Sequence, residues 1–340
     1  MRDRLAPDVA PGPASVPGLP MDPTPASTIR IGISTCLLGE EVRFDGGHKR
    51  DAFLVDTFGH YVEWLPVCPE VEIGLGTPRE PIHLVRSEKA IRLVGVKSGS
   101  DHSDAMREYA AKKAEELARL ELCGFILKKD SPSCGMERVK ICNPGGVSER
   151  NGRGLFADAL MARLPYLPVE EEGRLSDPRL RDNFVERGFA CRRLRDLFGG
   201  RWTIGHLVRF HTAHKLVLMA HSPTAYRVLG RLVAGGKALS RAELRERYER
   251  RLMEALAVIA TPRRHANVLY HMLGYFKTPL DGDSRVELAA TIEDYRNGLV
   301  PLIVPITLVR HHVRRLAVSY LAGQVYLEPH PKELMLRNHV

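Results

Sequence analysis

The apolar positions in the first half of the chain alternate between short continuous runs and helical spacing. Runs with the length of buried strands lie at residues 31–34, 62–67 and 124–128. Between them, residues 103–122 place apolar or small side chains at helical intervals. Short strands that alternate with helices are typical of a parallel sheet with helices on both faces. We therefore predict a Rossmann-like α/β domain over residues 29–176, with a hairpin or edge strands at residues 82–85 and 91–96.

The pattern changes near residue 177, where strand-like alternation almost disappears. Periodic segments lie near residues 178–198, 203–220, 224–234, 240–259, 263–277, 284–297 and 305–322. Short breaks that contain Gly, Ser-Pro or Thr-Pro separate them. This pattern predicts an all-α helical domain over residues 177–340. Residues 1–28 are rich in Pro, Ala and Gly and lack the apolar core of a signal peptide, so we predict a disordered leader there.

Composition adds limits on the class of protein. A length of 340 residues favours two domains over one core. Six cysteines are too few for a disulfide scaffold and fit a reducing compartment, in which thiols are available to metals. No run approaches 18 uninterrupted apolar residues, so we predict no membrane span and a cytoplasmic location.

The net charge of +9 is concentrated in the second half. Residues 181–340 contain 26 Lys and Arg against 14 Asp and Glu. This asymmetry favours a polyanionic partner, most simply RNA, although a solvated basic helical surface gives the same count. The arginines that we predict to face RNA are Arg192, Arg193, Arg195, Arg263, Arg264, Arg310, Arg314 and Arg315.

Three cysteines share one local setting, because each follows an apolar strand and lies among turn-forming residues. They are Cys36, Cys68 and Cys134. In an open α/β sheet, ligands bind at the carboxyl ends of the strands. Soft thiolates suit iron–sulfur clusters, zinc or copper(I), so we predict a metal centre with one open position. The other cysteines are predicted to be small core side chains (Cys123 and Cys142) or to have no partner nearby (Cys191).

Three motifs resemble those of the TudS-like thiouracil desulfidases. They are Ser34-Thr35-Cys36-Leu37-Leu38-Gly39, Val67-Cys68-Pro69-Glu70 and Ser131-Pro132-Ser133-Cys134-Gly135. The resemblance covers about residues 30–170. The second half resembles the YbgA-like domain through two further segments, Phe210-His211-Thr212-Ala213-His214-Lys215 and Pro329-His330-Pro331. The fusion is similar to desulfidases proposed to act on 4-thiouridine in transfer RNA.

The resemblance implies a cofactor and roles for two further residues. It implies a 4Fe-4S cluster held by Cys36, Cys68 and Cys134, whose fourth iron is free to take a thiocarbonyl sulfur. By their positions in these motifs, Glu70 and Ser131 correspond to the family's catalytic carboxylate and catalytic serine. The implied reaction is hydrolytic carbon–sulfur cleavage with thiolated tRNA as substrate, in which Glu70 acts as general base toward water.

Two other interpretations keep part of this picture. A free-base or nucleoside thiouracil desulfidase would use the same site on small thiouracil bases, and the basic half would serve oligomerisation. A non-catalytic RNA-binding protein would instead hold a structural zinc ion through the three cysteines and a fourth ligand such as His48. Salt bridging of Glu70 to Arg79, and an ordinary turn role for Ser131, are the structural alternatives to catalytic roles.

Overall fold

A computed structural model of the chain describes residues 28–87, 90–143, 147–278 and 280–340. Apart from Thr28, the predicted leader lies outside these residues. Among the described residues, no helix has the length and apolar character needed to cross a membrane. The strands are β1 (Ile29–Ser34), β2 (Val62–Val67), β3 (Ile82–Arg86), β4 (Ile91–Gly95), β5 (Gly124–Leu127), β6 (Val139–Cys142), β7 (Ser148–Gly152) and β8 (Val169–Glu171).

The first sheet is parallel throughout, with strand order β2-β1-β5-β8. Ile29 of β1 pairs with Val62 of β2, and Ile31 pairs with Gly124 of β5. The strands that precede the three predicted ligand cysteines are therefore immediate neighbours. Because they are parallel, their carboxyl ends meet at one edge of the sheet.

The second sheet is mixed, with strand order β4-β3-β6-β7. Strands β3 and β4 are antiparallel, with Leu84 opposite Leu93, so the predicted hairpin is confirmed. Strand β6 joins β3 in parallel and β7 in antiparallel orientation. This sheet adds strands beyond the parallel sheet that the sequence pattern predicts.

The helices of the described residues follow the predicted segments closely in the second half, except that the segment near residues 305–322 divides into two. In the first half they are α1 (Pro69–Glu72), α2 (Ser103–Ala118) and α3 (Leu155–Arg163). In the second half they are α4 (Pro178–Phe198), α5 (Ile204–His221), α6 (Pro223–Ala234), α7 (Arg241–Ala257), α8 (Pro262–Tyr275), α9 (Gly282–Arg296), α10 (Ile303–Arg315) and α11 (Ser319–Ala322). A parallel-sheet α/β part followed by a helical part is the predicted fold class, which is thereby confirmed.

Helices α4 to α9 begin where a short polar side chain caps the first turn. In each, the N-cap side chain accepts a hydrogen bond from a backbone N–H that has no partner within the helix. The caps are Asp177, Thr203, Ser222, Ser240, Thr261 and Asp281. Proline stands at the first helical position of α4, α6 and α8, where its missing N–H costs nothing. These signals explain why the helix boundaries can be read from the sequence.

The two faces of the parallel sheet are covered from different parts of the chain. Helices α2 and α3 pack on the face that carries Phe125. Helix α4 packs on the opposite face, where Phe184 and Phe189 join Ile29 and Ile31 in one core. The first helix of the helical half is therefore also the second covering layer of the sheet.

The chain's final turns reach the same sheet-facing core, while the rest of the helical half has its own core. Leu334 and Leu336 pack with β1 and α4. Helices α5 to α10 bury a separate apolar cluster that includes Leu252, Leu269 and Ile306. The two halves are therefore joined by packing at both ends of the helical segment.

Candidate active site

The three predicted cysteines lie around one cavity of about 370 Å³ at the carboxyl edge of the parallel sheet. Cys36 lies in a 3₁₀ turn (Thr35–Leu38) that follows β1 directly. Cys68 is the N-cap residue of α1, directly after β2. Cys134 is in the loop that follows β5. All three line the cavity, so the structure brings together the residues that the sequence pattern predicted to converge.

The loop that carries Cys134 is held by the side chain of Ser131. The hydroxyl oxygen of Ser131 accepts hydrogen bonds from the backbone N–H of Cys134 at 3.0 Å and of Ser133 at 3.3 Å. The loop closes through a hydrogen bond from the Gly135 N–H to the Ser131 carbonyl at 2.8 Å. A Cβ at residue 135 would lie 2.3 Å from Val139 Cγ2, so the motif requires glycine there.

Helix α3 fixes the other side of this loop. The backbone N–H groups of Phe156 and Ala157 donate to the carbonyl of Ser133 at 3.0 and 3.1 Å. A Cβ at Gly154 would lie 2.4 Å from the same carbonyl oxygen, so only glycine permits this approach. The free N–H groups of a helix start thus position the Cys134 loop.

Burial keeps the three thiols protonated in the absence of a bound cation. Desolvation raises the pKa of Cys36 to about 11, although the Lys128 ammonium opposes the shift. Desolvation also raises the pKa of Cys68, despite hydrogen bonds from backbone N–H groups of α1. The pKa of Cys134 is raised well above its usual value, chiefly by desolvation and then by the negative charge of Glu70. A metal centre would supply the positive charge that thiolates need at this site.

Glu70 lies beside the cysteines and has partners on both carboxylate oxygens. Its Oε2 accepts from Arg79 Nε at 3.1 Å and pairs with the same guanidinium through Nη2. Its Oε1 accepts from the hydroxyls of Ser131, at 3.4 Å, and Ser133. The salt bridge of Glu70 to Arg79, which the sequence analysis gave as an alternative to a catalytic role, is therefore present. The contact of Glu70 with Ser131 is present as well.

Arg79 reaches this position because the loop before it is folded back on the cavity wall. Its Nη1 donates to the carbonyls of Gly76 at 2.8 Å and Val42 at 3.0 Å. Its side chain is 6% exposed, so Glu70 and Arg79 form a nearly buried ion pair. Such a pair fixes the orientation of the carboxylate, because either charge left alone would be costly.

Two polar residues of the site were missed by the sequence analysis. Ser133 is fully buried and donates to Glu70, although it lies within the recognised motif. Ser34 is buried at the end of β1, where its hydroxyl contacts the Cys134 thiol and accepts from the Lys128 N–H at 3.0 Å. Both serines lie within the three cysteine-containing motifs. Their place in these motifs is the signal that could have identified them.

The cavity mouth is basic and carries one exposed aromatic ring. Lysine and arginine side chains line it with Asp130, and Phe44 is 39% exposed there. The basic lining residues are Arg43, Lys49, Arg79, Lys128 and Lys129. Four of these five side chains lie within salt-bridge distance of a carboxylate: Arg43 of Asp45, Arg79 of Glu70, Lys128 of Glu172 and Lys129 of Asp130. Most of the positive charge at the mouth is therefore compensated by neighbouring carboxylates.

The donor set is compatible with an iron–sulfur cluster. The three thiols line one cavity of about 370 Å³, and soft sulfur donors suit iron–sulfur clusters. Among the described residues, no group of three or more His, Cys, Asp or Glu side chains lies close enough to hold one metal ion. His48, the fourth ligand of the zinc alternative, is exposed and is not a lining residue of this cavity.

The remaining cysteines lie away from this cavity, and one prediction about them is wrong. Cys142 lies in β6, 3.6 Å from His83 Nδ1. The thiols of Cys123 and Cys191 contact each other between the sheet and α4, so Cys191 does have a partner. The hydrogen bond from Cys123 lowers the pKa of Cys191 below its usual value. The sequence could not show this contact because 68 positions separate the two residues.

Two of the arginines that were predicted to face RNA lie instead where α4 meets the sheet and the chain's end, and a third is paired along α4. Arg195 donates to the Leu122 carbonyl at 2.7 Å. Arg193 donates to the carbonyl of Pro329, and burial lowers its pKa to about 10. Arg192 pairs with a carboxylate one turn along α4. The structure corrects the prediction for Arg193 and Arg195, because Arg195 joins α4 to the first half of the chain and Arg193 joins α4 to the chain's end.

Three of the other five predicted arginines have partners within the helical half. Arg264 donates to the His221 carbonyl at 2.8 Å. Arg310 pairs with Glu328, and Arg315 lies 3.7 Å from a carboxylate oxygen of Asp281. The exposed members without such a described contact are Arg263 and Arg314. The RNA role of this set stays a prediction, with fewer free cations than the sequence count suggested.

Comparison with known proteins gives separate matches for the two halves. Residues 31–172 match the family described as 2-thiouracil desulfurase. Residues 215–331 match a family described as a protein of unknown function, DUF1722. These matches support a desulfidase activity in general terms for the first half.

Two curated relatives and one solved structure are similar to parts of the chain. The uncharacterized protein YbgA of Escherichia coli (strain K12) is 36% identical over 161 residues, which are 47% of this chain and 95% of YbgA. The uncharacterized protein YbbK of Bacillus subtilis (strain 168) is 33% identical over 149 residues, 42% of this chain and 95% of YbbK. The structure is that of the [4Fe-4S]-dependent thiouracil desulfidase TudS, with 33% identity over 44% of this chain and 95% of that chain, at a TM-score of 0.35.

The sequence matches agree with the site geometry. The cysteine cavity and Glu70 both lie within the segment that matches the desulfurase family. The helical half carries the segment that matches DUF1722. The chain therefore belongs to the 2-thiouracil desulfurase family through its TudS-like first half, which is fused to a YbgA-like helical half.

Proposed function

We propose that this protein is a non-redox desulfidase that converts 4-thiouridine in tRNA to uridine and releases sulfide. The observation that carries this proposal is the single cavity lined by Cys36, Cys68, Cys134, Glu70 and Ser131. It combines soft donors for a metal centre with a carboxylate that can accept a proton. We propose that the three cysteines hold a 4Fe-4S cluster. The cluster would supply an iron with an open position, a Lewis acid for the thiocarbonyl sulfur.

The protein's own groups handle the water and the proton. Ser131 lines the cavity, and its hydroxyl lies 3.4 Å from Glu70 Oε1, so it orients the carboxylate that activates a water beside the thiocarbonyl carbon. Glu70 takes the proton from that water as general base. Arg79 holds the carboxylate in place through Oε2, which leaves Oε1 for the hydroxyl network. Ser133 holds Oε1 from the buried side.

The proposed reaction balances without an electron donor or acceptor. The carbon–sulfur bond at C4 breaks and a carbon–oxygen bond forms from water. The sulfur leaves as sulfide, and the two protons of the water end on sulfide and in solvent. Hydrolysis of this kind needs a base and an electrophile, both of which the proposed site would provide.

An RNA substrate is favoured by charge. The cavity mouth carries Lys49 and Lys129 beside the exposed ring of Phe44. The basic excess of the chain lies in the helical half, where residues 181–340 contain 26 Lys and Arg against 14 Asp and Glu. A nucleotide with its phosphates matches both features, because cations bind phosphate and an aromatic ring stacks on a base.

A second candidate is a desulfidase for free thiouracil bases. The family match names 2-thiouracil and covers only residues 31–172, so the helical half is not part of that family. In this case the helical half would serve oligomerisation. Both candidates use the same cavity and differ in the substrate.

One experiment separates the two candidates. Protein purified and reconstituted with iron and sulfide under anaerobic conditions is incubated with tRNA that contains 4-thiouridine and, separately, with thiouracil bases. Nucleoside mass spectrometry follows 4-thiouridine, and a colorimetric assay follows sulfide. Loss of 4-thiouridine with matching release of sulfide supports the RNA desulfidase. Turnover of free bases with unchanged tRNA contradicts it.

A further inference from the structure

Two thiols outside the cysteine cavity meet where α4 lies on the parallel sheet. Cys123 directly precedes β5, and Cys191 lies on α4. Their side chains contact each other, and Cys191 packs against the apolar core that contains Cys123. Both are free thiols. Cys123 stands at the amino end of β5, whereas the cavity lies at the carboxyl edge of the same sheet, so this pair is separate from the proposed cluster ligands.

Successive turns of α4 hold the helix against the chain at Cys123. A Cβ at Gly188, one turn before Cys191, would lie 3.6 Å from the Cys123 carbonyl oxygen, so the helix backbone comes close to the chain there. The sulfur of Cys191 lies 3.9 Å from the Leu122 carbonyl oxygen. Arg195, one turn later, donates to the same oxygen at 2.7 Å. The backbones that carry the two thiols are therefore held next to each other.

The two thiols have unequal acidity. Cys123 donates a hydrogen bond to the Cys191 sulfur, which lowers the pKa of Cys191 below its usual value although burial opposes the shift. The same hydrogen bond raises the pKa of Cys123. The Arg195 guanidinium lowers the pKa of Cys191 further, and the Glu249 carboxylate opposes it. Arg187 adds a second positive charge nearby. Because the thiolate is the reactive form of cysteine, Cys191 is the nucleophile of the pair.

We propose that Cys123 and Cys191 are a reversible disulfide site, which hydrogen peroxide oxidises and which fastens α4 to the sheet. The Cys191 sulfur attacks one peroxide oxygen, the O–O bond breaks, and the other oxygen takes a proton and leaves as water. Cys191 is then a sulfenic acid. The Cys123 sulfur attacks the Cys191 sulfur, the S–O bond breaks, and a second water leaves. In all, two thiols give two electrons and two protons to the peroxide.

The place of this bond in the fold gives it a structural effect. Helix α4 is the first helix of the helical half and also covers one face of the sheet. The two cysteines are 68 positions apart, and a crosslink between distant positions restricts the unfolded chain strongly. The disulfide therefore opposes separation of α4 from the sheet. A low-molecular-weight thiol reverses it by exchange.

This inference does not rest on the proposed function. Neither cysteine of the pair lines the cavity, and the reaction with peroxide needs no iron and no RNA. Cys142 provides the comparison within the same chain. Its sulfur lies 3.6 Å from His83 Nδ1 and accepts from the Ser148 hydroxyl at 3.8 Å, so its described neighbours are not thiols.

The test treats the full chain with hydrogen peroxide in the presence of a chelator, so that loose iron does not decompose the peroxide. Remaining thiols are alkylated, and the protein is digested with trypsin without reductant and analysed by mass spectrometry. Cleavage after Lys and Arg places Cys123 in residues 120–128 and Cys191 in residues 188–192, each with no other cysteine. We expect these two peptides to be recovered as one linked species that dithiothreitol separates.

Variants test which residues make the bond and what it does. Cys191→Ala and Cys123→Ala should abolish the linked species, whereas Cys142→Ala should form it like wild type. Oxidised wild type should unfold at a temperature about 5 °C above that of the reduced protein. Cys191→Ala should unfold at the same temperature with and without peroxide. Unfolding of each variant under reducing conditions shows that its fold is retained.

Arg195 should act as a positioning residue for this reaction. Arg195→Gln removes the positive charge beside the nucleophile, so the linked species should form about tenfold more slowly. Arg195→Lys keeps the charge and should restore most of the rate. Equal rates in wild type and Arg195→Gln would remove Arg195 from this role.

Two results on the wild-type protein would overturn the proposal whatever the variants do. The first is recovery of the two peptides after oxidation as separate alkylated thiols, as sulfinic acids or linked to cavity cysteines. The second is a linked species that leaves the unfolding temperature unchanged, because the bond would then not hold α4 on the sheet. Linked peptides together with the rise in unfolding temperature support it, even if the protein removes no sulfur from tRNA.

Discussion

The hydroxyl of Ser131 lies 3.4 Å from Glu70 Oε1, although 61 positions separate the two residues in the chain. The same hydroxyl oxygen accepts the N–H of Cys134, so one side chain connects the carboxylate to the backbone of a cysteine loop. A general base and a metal-binding loop are thereby held in fixed relation. Each of the following predictions tests a part of this arrangement or of the fold that supports it.

Removal of one ligand cysteine should abolish the cluster. Cys36→Ala, Cys68→Ala or Cys134→Ala leaves two thiols at the cavity, too few to retain four irons against a chelator. We expect iron content and broad absorbance in the visible region to fall to background. Cys142→Ala is the matched control, because Cys142 lies in β6 and not at the cavity. Full iron content in any of the three variants would exclude that cysteine as a ligand.

Replacement of the carboxylate should separate chemistry from cofactor binding. Glu70→Gln keeps the shape and the hydrogen-bond acceptor but cannot take a proton, so turnover should fall about a hundredfold or more. Iron content should be unchanged, since Glu70 is not a proposed ligand. Glu63→Gln is the control on the strand that precedes Cys68, where Glu63 is exposed, pairs with Arg30 at 3.0 Å and does not line the cavity. Equal turnover in both variants would remove Glu70 from the catalytic role.

The two serines should contribute unequally. Ser133 is fully buried and only holds Glu70, whereas Ser131 also lines the cavity. We expect Ser131→Ala to lower turnover by about tenfold or more and to weaken retention of iron, because the Cys134 loop loses a backbone hydrogen bond. Ser133→Ala should lower turnover with iron content unchanged. The ratio of turnover to bound iron distinguishes the two effects, and identical ratios for both variants would contradict this assignment.

The helical half should lose stability in acid because of a buried neutral histidine. Burial, reinforced by the positive charge of Arg337, lowers the pKa of His265 to about 3, against an ordinary value of 6.5. Below about pH 6.5 the unfolded chain therefore binds more protons than the folded one, and stability falls as the pH drops toward 3.

This slope can be measured by urea unfolding at pH 7, 6 and 5. His265→Gln should make the dependence shallower by up to about 1.4 kcal/mol per pH unit below the unfolded pKa. The exposed His271 provides the control, and His271→Gln should leave the slope unchanged. An unaltered slope in His265→Gln would show that this histidine is not responsible for the acid sensitivity.

The position of a truncation should decide whether the first half stays folded. A chain ending at residue 176 lacks α4 and exposes the face of the sheet where Phe184 and Phe189 pack. A chain ending at residue 199 keeps α4, so it should be more soluble and retain more iron. Both shortened chains lack most of the basic helical half and should lose affinity for tRNA. If the shorter chain is as soluble and as iron-rich as the longer one, α4 is not needed to cover the sheet.

Local sequence was enough for most of the secondary structure. Apolar runs indicated β1, β2 and β5, and the helix boundaries followed from short polar caps and prolines, as at Asp177 and Ser222. These signals act within a few residues, so they can be read without knowledge of the fold. The convergence of Cys36, Cys68 and Cys134 could also be predicted, because parallel strands place their carboxyl ends at one edge.

Relations between distant residues were decided by tertiary packing alone. The contact of Cys123 with Cys191, the ion pair of Glu70 with Arg79, and the carbonyl contacts of Arg193 and Arg195 depend on how α4 and the loops dock. An arginine in a sequence carries the same charge whether it faces RNA or a buried carbonyl. The orientation of the helix against the sheet decides whether the arginine is exposed or buried. A buried arginine must find a hydrogen-bond partner within the protein, because water cannot reach it.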